Sequence, residues 1–420
     1  MQFTKAARLE WDTLEQKETW EVIPRSECRT RPVPLMWVFT YKFDKDGYLE
    51  RYKARLVARG DQQTPNTLKS TYAATLAARN FRLALALMAY FDLEAEQIDI
   101  SNAFLNATLD MESPVYCTAP EGFGSKETAL RLRKALYGMR ESPKLWYEKL
   151  LKTLQDLGLS PVGDEPCICV SEQNKVIIIF FIDNIVILYF KEHTKEGKAV
   201  ISGLKTKYEL REGPLSWFLG MRVFRDKERR TATILHDSYI EKIGMRFRLT
   251  ESKGYPTTPL PEGFIPKFKG KTFPKKIKLY QEMIGSILYT AIILRPDVAH
   301  AASLLSRFLT NPSPLHRRLA KRVLQYLYGT RFLGIRYGVT QTIQHLVMAS
   351  DASFGDDPET RKSSEGYVMI LFGGAINWRA ARQTTVTIST TEAELHALSK
   401  AAKETMAFKR IFRNIRLNLG

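Results

Sequence analysis

The sequence predicts an α+β protein in which strand pairs alternate with helices, and a block of helices separates two mixed portions. Three observations carry this. The chain has 420 residues, of which 44% are hydrophobic, enough for sizeable cores in two or three domains and too many for intrinsic disorder. β-Branched and aromatic runs of strand length recur within residues 37–59 and 176–190. Helical spacing of apolar residues dominates 145–157 and much of 279–328.

Taken in order, residues 37–59 (WVFTYKFDKDGYLERYKARLVAR) read as two strands around Lys45-Asp46-Gly47, because Asp-Gly favours a tight hairpin turn. Residues 81–91 are rich in Leu and Ala and read as a buried helix. QIDI at 97–100 reads as a short strand that turns helical at 101–109. Ser142 reads as an N-cap, Pro143 as a first helical residue and Gly158 as a left-handed C-terminal cap. Between them Leu145, Trp146, Leu150, Leu151, Leu154 and Leu157 make one apolar face. Residues 176–182 and 185–190 read as two buried strands around an Asp183-Asn184 turn. That apolar stretch is shorter than the roughly 20 residues of a membrane span and is charged at its centre, so no membrane association is expected.

Residues 256–278 hold five Pro and six Lys with almost no periodicity, the signature of a linker or extended arm. Helices are expected over 279–294, 296–309 and 314–328. A separate α/β unit follows. It has a strand at 346–349 leading into Asp351, a hairpin over 366–378 around Gly373-Gly374, a strand at 385–388 and a long helix from about Thr391.

Lys and Arg total 63 against 45 Asp and Glu, so a net charge of +18 makes a polyanion the first partner to consider. The excess is focused. Residues 267–336 hold 14 Lys and Arg against only Glu282 and Asp297. The four Cys form no C-x-x-C pair, which fits a reducing compartment without structural disulfides. Residues 1–18 are mixed and charged, unlike a signal peptide. The six His lack metal-ligand spacing, and His316 reads as a helix-surface residue.

Asp99 ends a short strand and Asp183 sits in a tight turn 84 residues later, so the two could meet on one sheet. Paired carboxylates of this kind can hold the Mg²⁺ ions of nucleotidyl transfer. Each residue also has a plain structural reading, Asp99 as a helix cap and Asp183-Asn184 as turn chemistry.

The motifs WVFTYKFDKDGYLERYKARLVARG, QIDISNAFLNATL, VYCTAPEGF, LRKALYGMRESPKLWY, FFIDNIVIL, WFLGMRV, YQEMIGSILYT, RPDVAHAASLLSRF, SDASFGDD, RKSSEGY, INWRAARQ and STTEAELHAL occur in that order along nearly the whole chain. In this order they resemble the reverse transcriptase and ribonuclease H part of a copia-type LTR retrotransposon polyprotein. The resemblance implies fingers and palm over 1–255, a basic linker with a helical thumb or connection region over 256–340, and a partial ribonuclease H-like domain over 341–420. It implies an RNA template, a DNA primer, RNA–DNA hybrid and deoxynucleoside triphosphates as partners, two Mg²⁺ ions as cofactors, and a cytoplasmic or virus-like-particle location.

Carried over by residue, the resemblance makes Asp99 and Asp183 metal-binding carboxylates and Phe104 the aromatic gate under the incoming sugar. Lys53 and Arg55 become the residues facing the triphosphate, either one making the contact. Arg140 becomes a cationic contact, and Phe218, Leu219 and Gly220 the primer grip, with Gly220 allowing close backbone approach. Asp351 and Glu394 match metal-binding residues of the ribonuclease H unit. Ser389 with Glu392, or Thr391 with Glu394, also fits a capping box, and Glu392 is assigned to the cap.

Three positions depart from the pattern. Asn184 stands where the family has a second Asp, which should weaken metal affinity and transition-state electrostatics. Glu141 replaces a usual Gln, and Thr75 a common Pro. The next ribonuclease H aspartate would lie past Gly420, so no hydrolysis of hybrid is expected from the sequence as it stands. The second reading is a decayed or co-opted copy that binds nucleic acid without catalysis.

Overall fold

A computed structural model describes residues 2–43, 48–64, 71–250, 254–338 and 346–415. Helix α1 (Gln2–Gln16) buries Ala7, Trp11 and Leu14, spaced to share one face. Strands β1 (Trp20–Pro24), β2 (Val33–Phe43) and β3 (Leu49–Ala58) follow. β2 and β3 pair antiparallel from Leu35–Ala58 out to Phe43–Leu49. The expected turn at 45–47 lies outside the described residues.

Helix α2 (Ala78–Tyr90) is buried from Asn80 to Ala89, as a helix apolar on all sides must be. Then come β4 (Glu94–Ile100), β5 (Tyr116–Thr118), β6 (Thr128–Leu132), α3 (Ser142–Asp156), β7 (Leu159–Val162), β8 (Glu165–Ser171), β9 (Val176–Phe181), β10 (Asn184–Tyr189), α4 (Thr194–Lys207) and β11 (Leu210–Pro214). Two sheets result, ordered β1-β6-β5-β2-β3 and β11-β4-β10-β9-β8-β7. Strands β9 and β10 are central and buried on both faces, which is why their sequence is continuously apolar and does not alternate.

Strands β12 (Trp217–Phe218), β13 (Met221–Asp226) and β14 (Thr231–Leu235) lead to helices α5 (Asp237–Arg246), α6 (Pro274–Ile293), α7 (Ala299–Ser306) and α8 (Pro314–Gly329). The helices have their own core around Tyr280, Ile284, Ile287, Val323 and Leu324. Strand β15 (Ile335–Gly338) then returns to pair with β14, closing a sheet ordered β12-β13-β14-β15. The chain continues through β16 (Leu346–Ser353), β17 (Ser364–Leu371), β18 (Gly374–Arg382) and α9 (Thr390–Ile415). Phe372, Ile376, Phe408 and Ile411 from this last portion join the core that holds α2, β9 and β10.

Several local expectations are corrected. Ser142 does not cap α3: its hydroxyl donates to Leu136 O at 2.6 Å, and the preceding Glu141 has helical φ and ψ. After β4 the chain makes only one 3₁₀ turn, Ala103–Asn106, because Asn102 sits at φ +51° and breaks the run. No strand forms at 385–388, where Ile388 is 92% exposed and Thr387 instead meets the Ser363 hydroxyl at 3.0 Å. Lys275, Lys276 and Lys278 belong to α6. The irregular arm before them is tied down: the Asn311 amide donates to Phe268 O at 3.2 Å and Gly270 O at 2.9 Å. His316 is fully buried and not on the surface. Its Nδ1 accepts from the Ser313 N–H at 2.9 Å and its ring stacks on Phe308 at 3.8 Å.

Candidate active site

The site is assembled by strand register. In the β4–β10 pair Asp99 lies directly opposite Asn184, and in the β10–β9 hairpin Asn184 pairs with Phe181. Ile182 and Asp183 are therefore a two-residue turn beside the end of β4. The 84-residue separation of Asp99 and Asp183 in sequence collapses to adjacent positions on one sheet edge.

Ile182 adopts φ +56°, a left-handed conformation that β-branched residues avoid, at a cost of ~1–3 kcal/mol. The turn is held there from both sides. The buried Trp146 indole of α3 donates to Ile182 O at 2.7 Å, and the Ile100 N–H of β4 donates to Asp183 O at 2.9 Å.

Burial raises the Asp183 carboxyl above its usual range, and the charge of Asp99 adds to the rise. The Asn184 amide opposes it by donating to Asp183 Oδ1 at 3.0 Å. Two carboxylates and an amide are hard oxygen donors suited to Mg²⁺, which commonly uses one or two carboxylates plus substrate phosphates. Among the described residues no group of three or more His, Cys, Asp or Glu side chains gathers as a preformed cage. The donor set thus fits an ion that shares its ligands with a phosphate.

Of the other expected residues, Arg55 acts on the Asp183 carboxylate, and the neighbouring Tyr137 feels both Asp183 and Asp99. Lys53 and Arg55 alternate with the buried Ala54 and Leu56 on β3, so both occupy its other face. Burial depresses the Lys53 ammonium, and Arg55, Lys42 and Arg51 depress it further, a crowd of like charge that an anion would relieve. The Arg55 guanidinium lies 5.4 Å over the Tyr137 ring. Phe104 is 7% exposed and meets that same ring edge-on at 4.7 Å, so Tyr137 covers it. Arg140 is exposed, and its Nε donates to Gly60 O at 2.7 Å.

The loop carrying Tyr137 and Arg140 docks on β3 by close backbone approach. A Cβ on Gly138, at φ +87°, would fall 2.2 Å from Ala58 O, and one on Gly60 would fall 2.1 Å from Gly138 O. Gly220 lies in a turn with no protein backbone close to it. With Leu219 at φ +51° and Gly220 at φ +78° they form the β12–β13 turn, and a Cβ on Gly220 would meet nothing within 4 Å. Its backbone conformation, and not a close approach, calls for glycine. Phe218 is 1% exposed and stacks on Phe81 at 4.4 Å.

In the C-terminal portion Asp351 is exposed on β16, and Glu394 Oε1 accepts from the Ala352 N–H at 3.3 Å. Glu392 takes part in the cap, accepting from the Ile388 N–H at 2.7 Å while its own N–H donates to Ser389 Oγ at 3.1 Å.

Sequence reasoning missed three features. The buried Gln63 donates to both carboxylate oxygens of Glu141, at 3.1 and 2.8 Å, and accepts from the Arg140 N–H at 3.2 Å. Glu10 of α1 reaches the Leu56 N–H of β3 and lies in the field of Lys53 and Arg55. On α6, Gln281, Gly285 and Tyr289 are exposed on one face, with Gly285 open to solvent. Their i, i+4, i+8 spacing was the available signal for the last. The first two depend on tertiary docking and leave none.

Comparison with known proteins agrees with this geometry. The sequence profile of the family described as "Reverse transcriptase (RNA-dependent DNA polymerase)" matches residues 17–261. The chain is 32% identical over 437 residues to the retrovirus-related Pol polyprotein from transposon TNT 1-94 of Nicotiana tabacum, covering 99% of this chain and 32% of that polyprotein. It is 30% identical over 396 residues to the Pol polyprotein from transposon RE1 of Arabidopsis thaliana, covering 92% and 26%. It is 27% identical over 412 residues to the transposon Ty1-DR6 Gag-Pol polyprotein of Saccharomyces cerevisiae, covering 93% and 22%. The chain thus spans about a third or less of the length of these relatives. With more than half of its residues matched, the chain belongs to the reverse transcriptase (RNA-dependent DNA polymerase) family.

Proposed function

We propose that this chain is the nucleotidyl-transfer part of a copia-type retrotransposon polyprotein, adding deoxynucleotides to a primer on a nucleic-acid template, with its rate reduced by Asn184. The observation that carries the reading is the register that sets Asp99 opposite Asn184 and beside Asp183. Asp99 and Asp183 would hold Mg²⁺, which when bound supplies charge neutralisation at the phosphates and acidifies the primer hydroxyl. Lys53, Arg55 and Arg140 would receive the triphosphate, Phe104 and Tyr137 would border the sugar, and 217–220 would support the primer. On this reading residues 1–255 are fingers and palm and 256–340 the thumb or connection region. Residues 341–420 are a ribonuclease H-like unit in which Asp351 on β16 and Glu394, bonded to the neighbouring Ala352 N–H, would be the metal-binding residues, and the setting is a cytoplasmic particle. No helix among the described residues is long and apolar enough to cross a membrane.

The reading is tested by extending a DNA primer on an RNA template with Asp99→Asn and Asp183→Asn variants. Each is expected to lower residual incorporation by on the order of 100-fold or more. Incorporation unchanged in both would refute it. A second reading, nucleic-acid binding without catalysis, is favoured by the Asn184 amide and by the basic residues of 267–336. It predicts steeply salt-dependent affinity for hybrid with no incorporation by any variant.

A further inference from the structure

The last four carbonyls of a helix have no partners within it and must be satisfied elsewhere. At the end of α6, Thr290 O accepts from the Leu294 and Arg295 N–H groups at 3.1 and 3.0 Å. The remaining three are satisfied by side chains from distant parts of the chain. Trp378 Nε1 of β18 donates to Ala291 O at 2.8 Å. Arg82 of α2 donates through Nη1 to Ile292 O at 3.1 Å and Ile293 O at 2.5 Å.

The same guanidinium donates through Nε to Ile376 O of β18 at 2.8 Å and lies 4.0 Å over the Trp378 ring. Arg82 is 3% exposed, and burial brings it down to about 10, so it stays charged at neutral pH. A buried charge is expensive, and an apolar side chain would pack there at lower cost. What only a guanidinium provides is a rigid fork that fixes several carbonyls at once. A cavity of about 490 Å³ lies beside the fork, bordered by Arg79, Leu288, Ile292 and Arg379.

The clamp joins two functional parts. α2 shares its core with β4, β9 and β10, which carry Asp99 and the Asp183 turn. α6 opens with the exposed Lys275, Lys276 and Lys278, part of the basic stretch 267–336 that suits a nucleic-acid backbone. We infer that Arg82 and Trp378 are positioning residues that cap α6 from outside and so set where a hybrid held on its exposed face meets the Asp99–Asp183 edge. The C-terminal portion thereby helps place template–primer, whether or not Asp351 and Glu394 act. This rests on the polymerase reading for its hybrid ligand only.

Two measurements test it on the full chain. In the first, spin labels at Lys278→Cys on α6 and Lys207→Cys on α4, in a Cys28→Ser background, report the distance between helix and sheet core without nucleic acid. Arg82→Met, and the milder Trp378→Phe, which keeps a smaller aromatic ring but loses the donor, should broaden that distance distribution. An unchanged sharp distribution in both folded variants overturns the clamp. In the second, fluorescence anisotropy follows binding of an RNA–DNA hybrid at fixed salt. Each variant should weaken binding about tenfold, the scale of a buried helix carbonyl left without its donor. The loss should be less than additive with Lys275→Ala on α6 and additive with Lys53→Ala. Equal additivity with both, the mark of general destabilisation, overturns the positioning role. Should the wild type fail to bind hybrid while Arg82→Met still broadens the distance, the clamp stands and the polymerase reading falls.

Discussion

Single atoms decide how the Asp183 turn is held. Ile182 at φ +56° persists because the Trp146 indole and the Ile100 N–H fix the two turn carbonyls. Trp146→Phe keeps an aromatic ring, though a smaller one, and removes the donor from a buried carbonyl. Unfolding stability in urea should fall by ~1–3 kcal/mol, and a loss below about 0.3 kcal/mol would show that the bond does not hold the turn. A second residue governs pH dependence. Burial holds the His236 imidazole down to about 4, against an ordinary 6.5. Between those values the unfolded chain takes up a proton that the folded chain refuses. Stability is therefore fully present above pH 6.5 and is lost as pH falls toward 4, by up to roughly 3 kcal/mol. His236→Gln should flatten this dependence between pH 4.5 and 7 in urea titrations, and a retained slope would assign it to another group.

Among the elements, two glycine turns separate close approach from backbone conformation. Gly138 brings its loop against Ala58 O, whereas Gly220 has open space and a positive φ. Gly220→Ala should cost ~1–2 kcal/mol, the left-handed penalty alone. Gly138→Ala should cost more, and should also weaken triphosphate binding by displacing Tyr137 and Arg140. Equal losses in thermal midpoint for the two would contradict the distinction. This scale also shows what a linear reading can and cannot see. The strands around Asp183 were legible because central strands are continuously apolar, and α3 because its apolar face repeats. Ser142 was misread as a cap because its hydroxyl turns back to Leu136 O, a contact set by the path of the preceding loop. His316 was misread because its partners Ser313, Phe308 and Pro266 converge only after the arm folds over α8.

Across the whole molecule, the ordered motifs placed the family, and strand register supplied the meeting of Asp99 with Asp183 that spacing alone left open. Long-range contacts join the portions. β15 returns to pair with β14, the C-terminal portion shares the core of α2, β9 and β10, and Arg82 and Trp378 cap α6. None of these long-range ties has a local sequence signature, because each joins elements far apart in the chain, 87 residues for Trp378 and Ala291 and 210 for Arg82 and Ile292. On the proposed function, this architecture is a polymerase slowed at one carboxylate position. Single-nucleotide incorporation with Mg²⁺ on an RNA template tests it most directly, comparing the wild type with Asn184→Asp. The account predicts a rate higher by on the order of 100-fold in the variant. A wild-type rate equal to that of Asn184→Asp would contradict it.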